Sequence, residues 1–390
     1  MSRRPARIGW SLEFLERTKR KEAQMERRRR VFGSACLGLL AAVAVAAQGA
    51  DDRVILRKGS PIQGQVQKDA ETVSVRHKQG GEMAQPATEV VEIIWDIADF
   101  NWTNGLSDMN AGKFSDACHA LSKVLPNLKN PALFRLEAEA EFRYRYGECL
   151  FQTGQLAEAA EQFRTFIRGF QGNRFRGRSL ERLALAYIQL GKTKEAKESL
   201  NAVRSLGGDA AVRAALLEGD LNLRLRQANE AEACYTQAAG LAPDGSELRL
   251  LANMGQAKVA FLAKRFDKAK EMAEKALKGR PTANAAAAAH LILGNIYFEE
   301  AAKLTDQAKM QIKLLDAALE FLRVHLLYAG DERTEPEALY KAGETFRLLM
   351  RLPGQQASRE RAKDMFSKVR ERYPSSPLAP EAEKRLDEMR

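Results

Sequence analysis

The sequence predicts a mainly α-helical protein: a solenoid of stacked helix pairs, closed by a C-terminal capping helix and preceded by a small β module. Three observations carry that prediction. Apolar residues recur at a helical period from residue 97 to the C-terminus. One short phrase returns along that stretch, its final alanines 35 to 48 residues apart. Only 12 prolines interrupt 390 residues, which favours long helices.

The first element is a leader, residues 1–50. Composition is otherwise that of an ordinary folded protein, 45% hydrophobic and 29% charged, which excludes collagen-like, mucin-like and wholly disordered chains. The net charge of +11 sits mostly at one end, because residues 1–30 hold eleven basic and four acidic side chains. Arg27–Arg30 stand directly before Val31–Ala47, 17 residues without a charge, and the acidic pair Asp51-Asp52 follows shortly after. A basic block, an apolar run and small residues at Ala44–Ala47 spell a secretory signal cleaved near residues 47–51. The alternative is an uncleaved inner-membrane anchor, for which about 20 apolar residues are usual. Either way the basic block stays cytoplasmic and the body is exported to the periplasm, so no nucleic-acid partner is needed to explain it. Glu13, Glu16 and Glu22 make this leader long and atypical, whereas initiation at Met25 gives a conventional one. Cys36 lies near the beginning of the apolar run instead of at its end, against a lipoprotein signal. Cys118, Cys149 and Cys234 lack zinc-site or framework spacing and read as small buried helix residues, with one disulfide left open by the oxidising destination.

Residues 51–96 form the second element. Val54–Leu56, Ile62–Val66, Val73–Val75 and Val90–Trp95 are short alternating runs, separated by Lys58-Gly59-Ser60, Lys68-Asp69 and Gln79-Gly80-Gly81. Such punctuation predicts four antiparallel strands in a curled sheet or SH3-like barrel. So small a core needs support from the helices that follow, and a structural cap is the expected role. The solitary His77 offers no ligand set.

The third element, residues 97–374, is the repeat. The phrase is clearest in Gly112–Ala117, Gly154–Ala159 and Gly191–Ala196, with looser copies ending at Ala231, Ala269, Ala317 and Ala362. Twelve residues before an anchoring alanine stand Gly105, Gly147, Ala184, Gly219 and Ala257; four after it come Phe163, Leu200, Tyr235, Phe321 and Phe366; twelve after it, Pro243, Pro281 and Pro374. Small residues let two helix backbones approach, and the large side chain fills the groove beside them. Gly at the turn tolerates positive φ, and Pro ends the second helix. Glu299–Asp316 is helix-like throughout and predicts an elongated sixth pair, with the seventh longer in the same sense.

This pattern resembles the tetratricopeptide repeat, which implies a right-handed helical solenoid of about seven helix pairs. The closing stretch, Phe366–Val369 and Tyr373–Leu386, is similar to periplasmic tetratricopeptide proteins of the outer-membrane assembly and Tol-coordinator kinds. Residues 375–390 are the capping helix that a solenoid needs over its last apolar face.

For function, the sequence carries no phosphate loop, no H-E-x-x-H and no nucleophile with a base. His119, His290 and His325 are isolated, so neither catalysis nor a metal or cofactor is expected and the protein reads as non-enzymatic. The resemblance instead implies a concave groove lined by the first helix of each pair. Register places Trp102, Leu106 and Met109 there, then Tyr144 and Glu148, and further along Arg213, Asp220, Lys258 and Phe261. Aromatic and apolar anchors beside both signs of charge suit a protein or peptide partner of the envelope. Membrane attachment enters only through residues 31–47, if retained, and the alternative function is then that of a membrane-anchored structural protein of the envelope whose repeats self-associate.

Overall fold

The computed structural model describes residues 51–390, apart from 78–79, 131–133, 280, 331–332 and 390. The leader, with Met25, Cys36 and the run 31–47, lies outside the described residues. No helix among the described residues is long and apolar enough to cross a membrane.

The β module has five strands, one more than the alternation predicts: β1 (Asp52–Leu56), β2 (Ile62–Asp69), β3 (Thr72–Arg76), β4 (Glu82–Pro86) and β5 (Val90–Ile94). All neighbours are antiparallel, in the order β4-β3-β2-β1-β5. Pairing of the first strand with the last, and one 3-10 turn at Ala87–Glu89 between β4 and β5, suit the SH3-like expectation. The missed strand, Glu-Met-Ala-Gln-Pro, has neither alternation nor β-branched residues. It is an edge strand, recruited by β3 through pairs such as Ser74 with Ala84, and its terminal Pro86 removes a donor from the free edge.

Fifteen helices follow among the described residues. They pair as α1 (Phe100–Asn110) with α2 (Phe114–Ser122), α3 (Leu136–Gln152) with α4 (Leu156–Gly169), and α5 (Arg176–Gln189) with α6 (Thr193–Arg204). Then come α7 (Gly208–Arg224) with α8 (Ala228–Leu241), α9 (Glu247–Leu262) with α10 (Phe266–Lys278), α11 (Ala283–Ala302) with α12 (Gln307–Leu327), and α13 (Glu335–Leu349) with α14 (Ser358–Arg372). A final helix, α15 (Ala379–Asp387), buries Ala379 and Ala382 against the seventh pair as the expected cap.

Every anchoring alanine, from Ala117 to Ala362, is fully buried. The glycine on the inner helix meets the large side chain four residues beyond that alanine. A Cβ on Gly147 would come within 2.8 Å of the Phe163 ring, one on Gly219 within 2.6 Å of Tyr235 and one on Gly343 within 2.6 Å of Phe366. The helices of a pair therefore cross where backbone, not side chain, faces the ring. The turn inside each early pair is left-handed at Gly112, Gly154 and Gly191. In the fourth and fifth copies the same conformation persists without glycine, at Arg226 (φ 59°) and Lys264 (φ 60°). The shape of the repeat outlasts its sequence there, at a local steric cost.

Two expectations about the long repeats need correction. The sixth pair is elongated, with helices of 20 and 21 residues, but 299–316 is not one helix: the chain turns at 303–306, and the Asp306 carboxylate caps α12 through the backbone N–H groups of Ala308 and Lys309. The seventh pair holds its extra residues in the connection 350–357, not in longer helices.

Buried charges join the β module to the second pair. Asp52 accepts hydrogen bonds from the backbone of Val66 (2.8 Å) and Asp96 (3.0 Å), and pairs with Arg135 just before α3. Trp95 donates its indole N–H to Glu141 on α3 at 2.8 Å. Arg174, in the α4–α5 loop, bridges Asp69 (2.8 Å) and Glu141 (3.3 Å) and lies over the Phe175 ring. Burial pushes the Asp69 carboxyl up to about 6, with Glu141 adding to the rise against the pull of Arg174.

Candidate functional site

The inner helices α1, α3, α5, α7, α9, α11 and α13 carry the surface on which register placed the groove. The two aromatic anchors are not part of it. Trp102 is 2% exposed, wedged between Phe134 and Phe142 with ring centroids 6.1 Å away from each. Tyr144 is buried face to face with Phe175 at 4.4 Å, and burial pushes its hydroxyl up to about 12. Both side chains belong to the first core cluster, which takes in the β module and the first three pairs. Leu106 and Met109 are half-buried against that same cluster. The correction has a physical reason: Phe134 and Phe142 cover Trp102, and Phe175 at the start of α5 covers Tyr144, on the side of α1 and α3 that register left open.

What lines the inner face further along is charge, arranged in ion pairs, the first two of them between successive inner helices. Glu148 on α3 meets Arg182 on α5 at 2.8 Å, and Glu181 on α5 meets Arg213 on α7 at 2.7 Å. Asp220 on α7 accepts from the Tyr235 hydroxyl at 2.6 Å and pairs with Arg333. Lys258 on α9 meets Glu337 on α13 at 3.0 Å. Phe261 closes this row, half-buried beside Phe266 at 5.5 Å.

Electrostatics couple the last two pairs. Burial would raise the Asp220 carboxyl, but Arg333, Lys258 and the Tyr235 hydroxyl outweigh it and hold the group below the usual carboxylate range. Glu337 raises Lys258, and against the cost of burial Lys258 lowers Glu337 in return. Arg224 sits exposed one turn beyond Asp220, and desolvation lowers it against the pull of Asp220 and Glu337.

Two of these contacts cross the stack instead of following it. Asp220 and Arg333 are 113 residues apart, Lys258 and Glu337 79. They tie the fourth and fifth pairs to the seventh, although units of a solenoid ordinarily touch only their neighbours. The seventh pair also meets the second, where a Cβ on Gly154 would lie 3.0 Å from the Pro374 carbonyl oxygen. Each crossing ion pair keeps roughly a third of its side-chain surface in water, so it contributes only about 0.2–1 kcal/mol. Arg333 and Glu337 had no signal in the repeat register, because nothing local in sequence relates them to Asp220 and Lys258.

Tetratricopeptide-repeat family models match residues 103–174, 177–204, 212–244 and 337–376. The chain is a tetratricopeptide repeat protein. The unmatched part of its tetratricopeptide stack, 245–336, holds the fifth pair, with Lys264 at its turn, and the elongated sixth. No curated protein sequence matches. Among solved structures, a tetratricopeptide repeat protein from Parabacteroides merdae is 16% identical, with TM-score 0.46 over 74% of this chain and 97% of its own. A Rap protein complexed with competence and sporulation factor is 17% identical, with TM-score 0.41 over 75% and 76%. PilF of Pseudomonas aeruginosa is 15% identical, with TM-score 0.35 over 64% and 99%.

Tetratricopeptide repeats are protein-interaction scaffolds, typically without catalysis. Among the described residues no group of three or more His, Cys, Asp or Glu is placed to hold a metal ion. Two of the four histidines have carboxylate partners: His290 lies 2.6 Å from Glu320, and His325 lies 2.8 Å from Glu335. Cys118 and Cys149 are buried free thiols and Cys234 a half-buried one.

Proposed function

We propose that the protein is an exported, non-enzymatic scaffold that binds another protein of the bacterial cell envelope through the inner face of its stack. One observation carries the choice of face: the row of partly exposed charges from Glu148 to Lys258, held by contacts weak enough for a partner to replace. With Trp102 and Tyr144 withdrawn into the core, the partner segment is an extended one bearing both acidic and basic side chains, matched to the row by charge. Export rests on the basic block and the uncharged run at 31–47, which equally suits an inner-membrane anchor with the repeats in the periplasm.

A photo-crosslinking residue placed at exposed Arg224 on α7 in cells should give a discrete adduct, and one placed at exposed Glu161 on α4 should not. Equal adducts from both would move the interaction off the inner face. Sequencing the N-terminus of the exported protein separates a cleaved leader, beginning near residues 47–51, from a retained anchor.

A further inference from the structure

Outer helices of this stack show water polar or small residues two positions before and two after the anchoring alanine. Before it stand Ser115, Ala157, Lys194, Asn229, Asp267 and Glu360; after it, His119, Glu161, Glu198, Ala233, Glu271 and Asp364; all are exposed. On α12 these two positions are Leu315 and Leu319. They belong to a longer series, Ile312, Leu315, Leu319, Leu322 and Leu326, whose intervals of three and four follow the heptad rule for a helix that packs on another. Ile312 is 60% and Leu315 42% exposed, and the remaining three are half-buried. The core-facing side of α12 is a different one, centred on Leu314, Ala317, Phe321 and Val324, and of the stripe Leu322 also packs against that core from its edge. At about 100° per residue the two stripes lie roughly 160° apart, so the helix has a second apolar face that the chain leaves partly uncovered.

We propose that this stripe docks on the same stripe of a second copy of the chain, with the two α12 helices antiparallel across a two-fold axis. Flanking charge selects both occupant and direction. With Leu315 and Leu322 at heptad position d, position e is held by Asp316 and then Arg323. Antiparallel helices set e beside e, so a two-fold near Leu319 brings Asp316 of each copy to Arg323 of the other, twice over. A parallel copy sets these charges beside Gln311 and Ala318 and makes neither pair. Within one chain Arg323 already pairs with Glu320, but its side chain is 38% exposed and its guanidinium has donors for a second carboxylate.

Sedimentation velocity of the full chain over rising concentration should show a dimer. Leu315→Glu with Leu319→Glu should weaken it at least about tenfold while far-UV circular dichroism stays unchanged. Chains carrying Asp316→Arg alone or Arg323→Asp alone should each be monomeric, and their mixture should dimerise, because mixing restores both ion pairs. The mixture decides even if the leucine variant loses helix. A chain that stays monomeric up to about 100 μM overturns the proposal, as expected if the stripe takes a helix of another protein instead. So does a dimer indifferent to the leucine changes, or a mixture that fails to associate.

Discussion

The second and sixth pairs are built on one contact and differ in almost everything else. In both, a glycine of the inner helix faces an aromatic ring of the outer one: Gly147 with Phe163, and Gly294 with Phe321, where a Cβ would come within 2.5 Å of the ring. The second pair has helices of 17 and 14 residues, the sixth 20 and 21. The crossing is therefore set by the contact and is independent of helix length. Extra turns add surface that the crossing does not use, and in α12 that surface is an apolar stripe.

Deleting the shared contact should have the largest effect. Phe163→Ala and Phe321→Ala each remove a fully buried ring and should each cost about 3–5 kcal/mol, read from urea unfolding. A much smaller loss in the sixth pair would mean that its long helices are held by something other than this crossing.

Buried charge distinguishes the joint at the second pair from that at the sixth and seventh, with opposite signs. Asp69 is raised from 3.8 to about 6, so the folded state binds the extra proton in that window. Its contribution is greatest below 3.8 and is lost as pH rises through 6, a difference of about 3 kcal/mol. Glu335 is fully buried among His325, Tyr373 and Arg372, and these partners with the Gly330 N–H outweigh burial and hold it below its ordinary 4.5. Its contribution is full above 4.5 and is lost as pH falls through the depressed value. Relative to the parent, the Asp69→Asn variant should therefore gain melting temperature as pH rises from acid to neutral, and Glu335→Gln should lose it. Parallel slopes would refute the contrast.

A register test should give a smaller difference. Ala159→Phe and Ala317→Phe overpack fully buried positions and should cost about 1–3 kcal/mol each. Two residues earlier, Ala157→Glu and Leu315→Glu lie on exposed positions and should change the melting temperature of dilute protein by no more than about 0.5 kcal/mol equivalent. Equal shifts at the two positions would put the repeat register out of step.

The turns should give the smallest effect. Arg226→Gly and Lys264→Gly relieve left-handed backbone at non-glycine residues, offset by the greater freedom of glycine in the unfolded chain, for a net gain of a few tenths to about 1 kcal/mol. Gly154→Ala, at φ 81° and against the Pro374 carbonyl, should instead lose stability. A gain there on thermal unfolding would mean that the second and seventh pairs do not touch.

Much of the architecture was legible because its determinants are local. Glycine, alanine and an aromatic at fixed offsets report one helix crossing, and they do so even where turn glycines have become Arg226 and Lys264. Strand β4 escaped because Glu82–Pro86 has no pattern of its own and is ordered by its partner. The inner face was half legible: register placed Glu148, Arg213, Asp220, Lys258 and Phe261 on inner helices, where they stay half-buried, but it also named Trp102 and Tyr144, which Phe134, Phe142 and Phe175 cover.

The sequence by itself determined the helix pairs, their count, the β module ahead of them and the cap behind, since each follows from side chains within one or two turns of one another. Tertiary structure alone decided which inner charges meet. Asp220 reaches Arg333, and Lys258 reaches Glu337, only through the summed rotations of the intervening pairs, including an elongated one. A small change in packing angle at any pair moves the far end by several ångströms, and no short-range pattern records that sum.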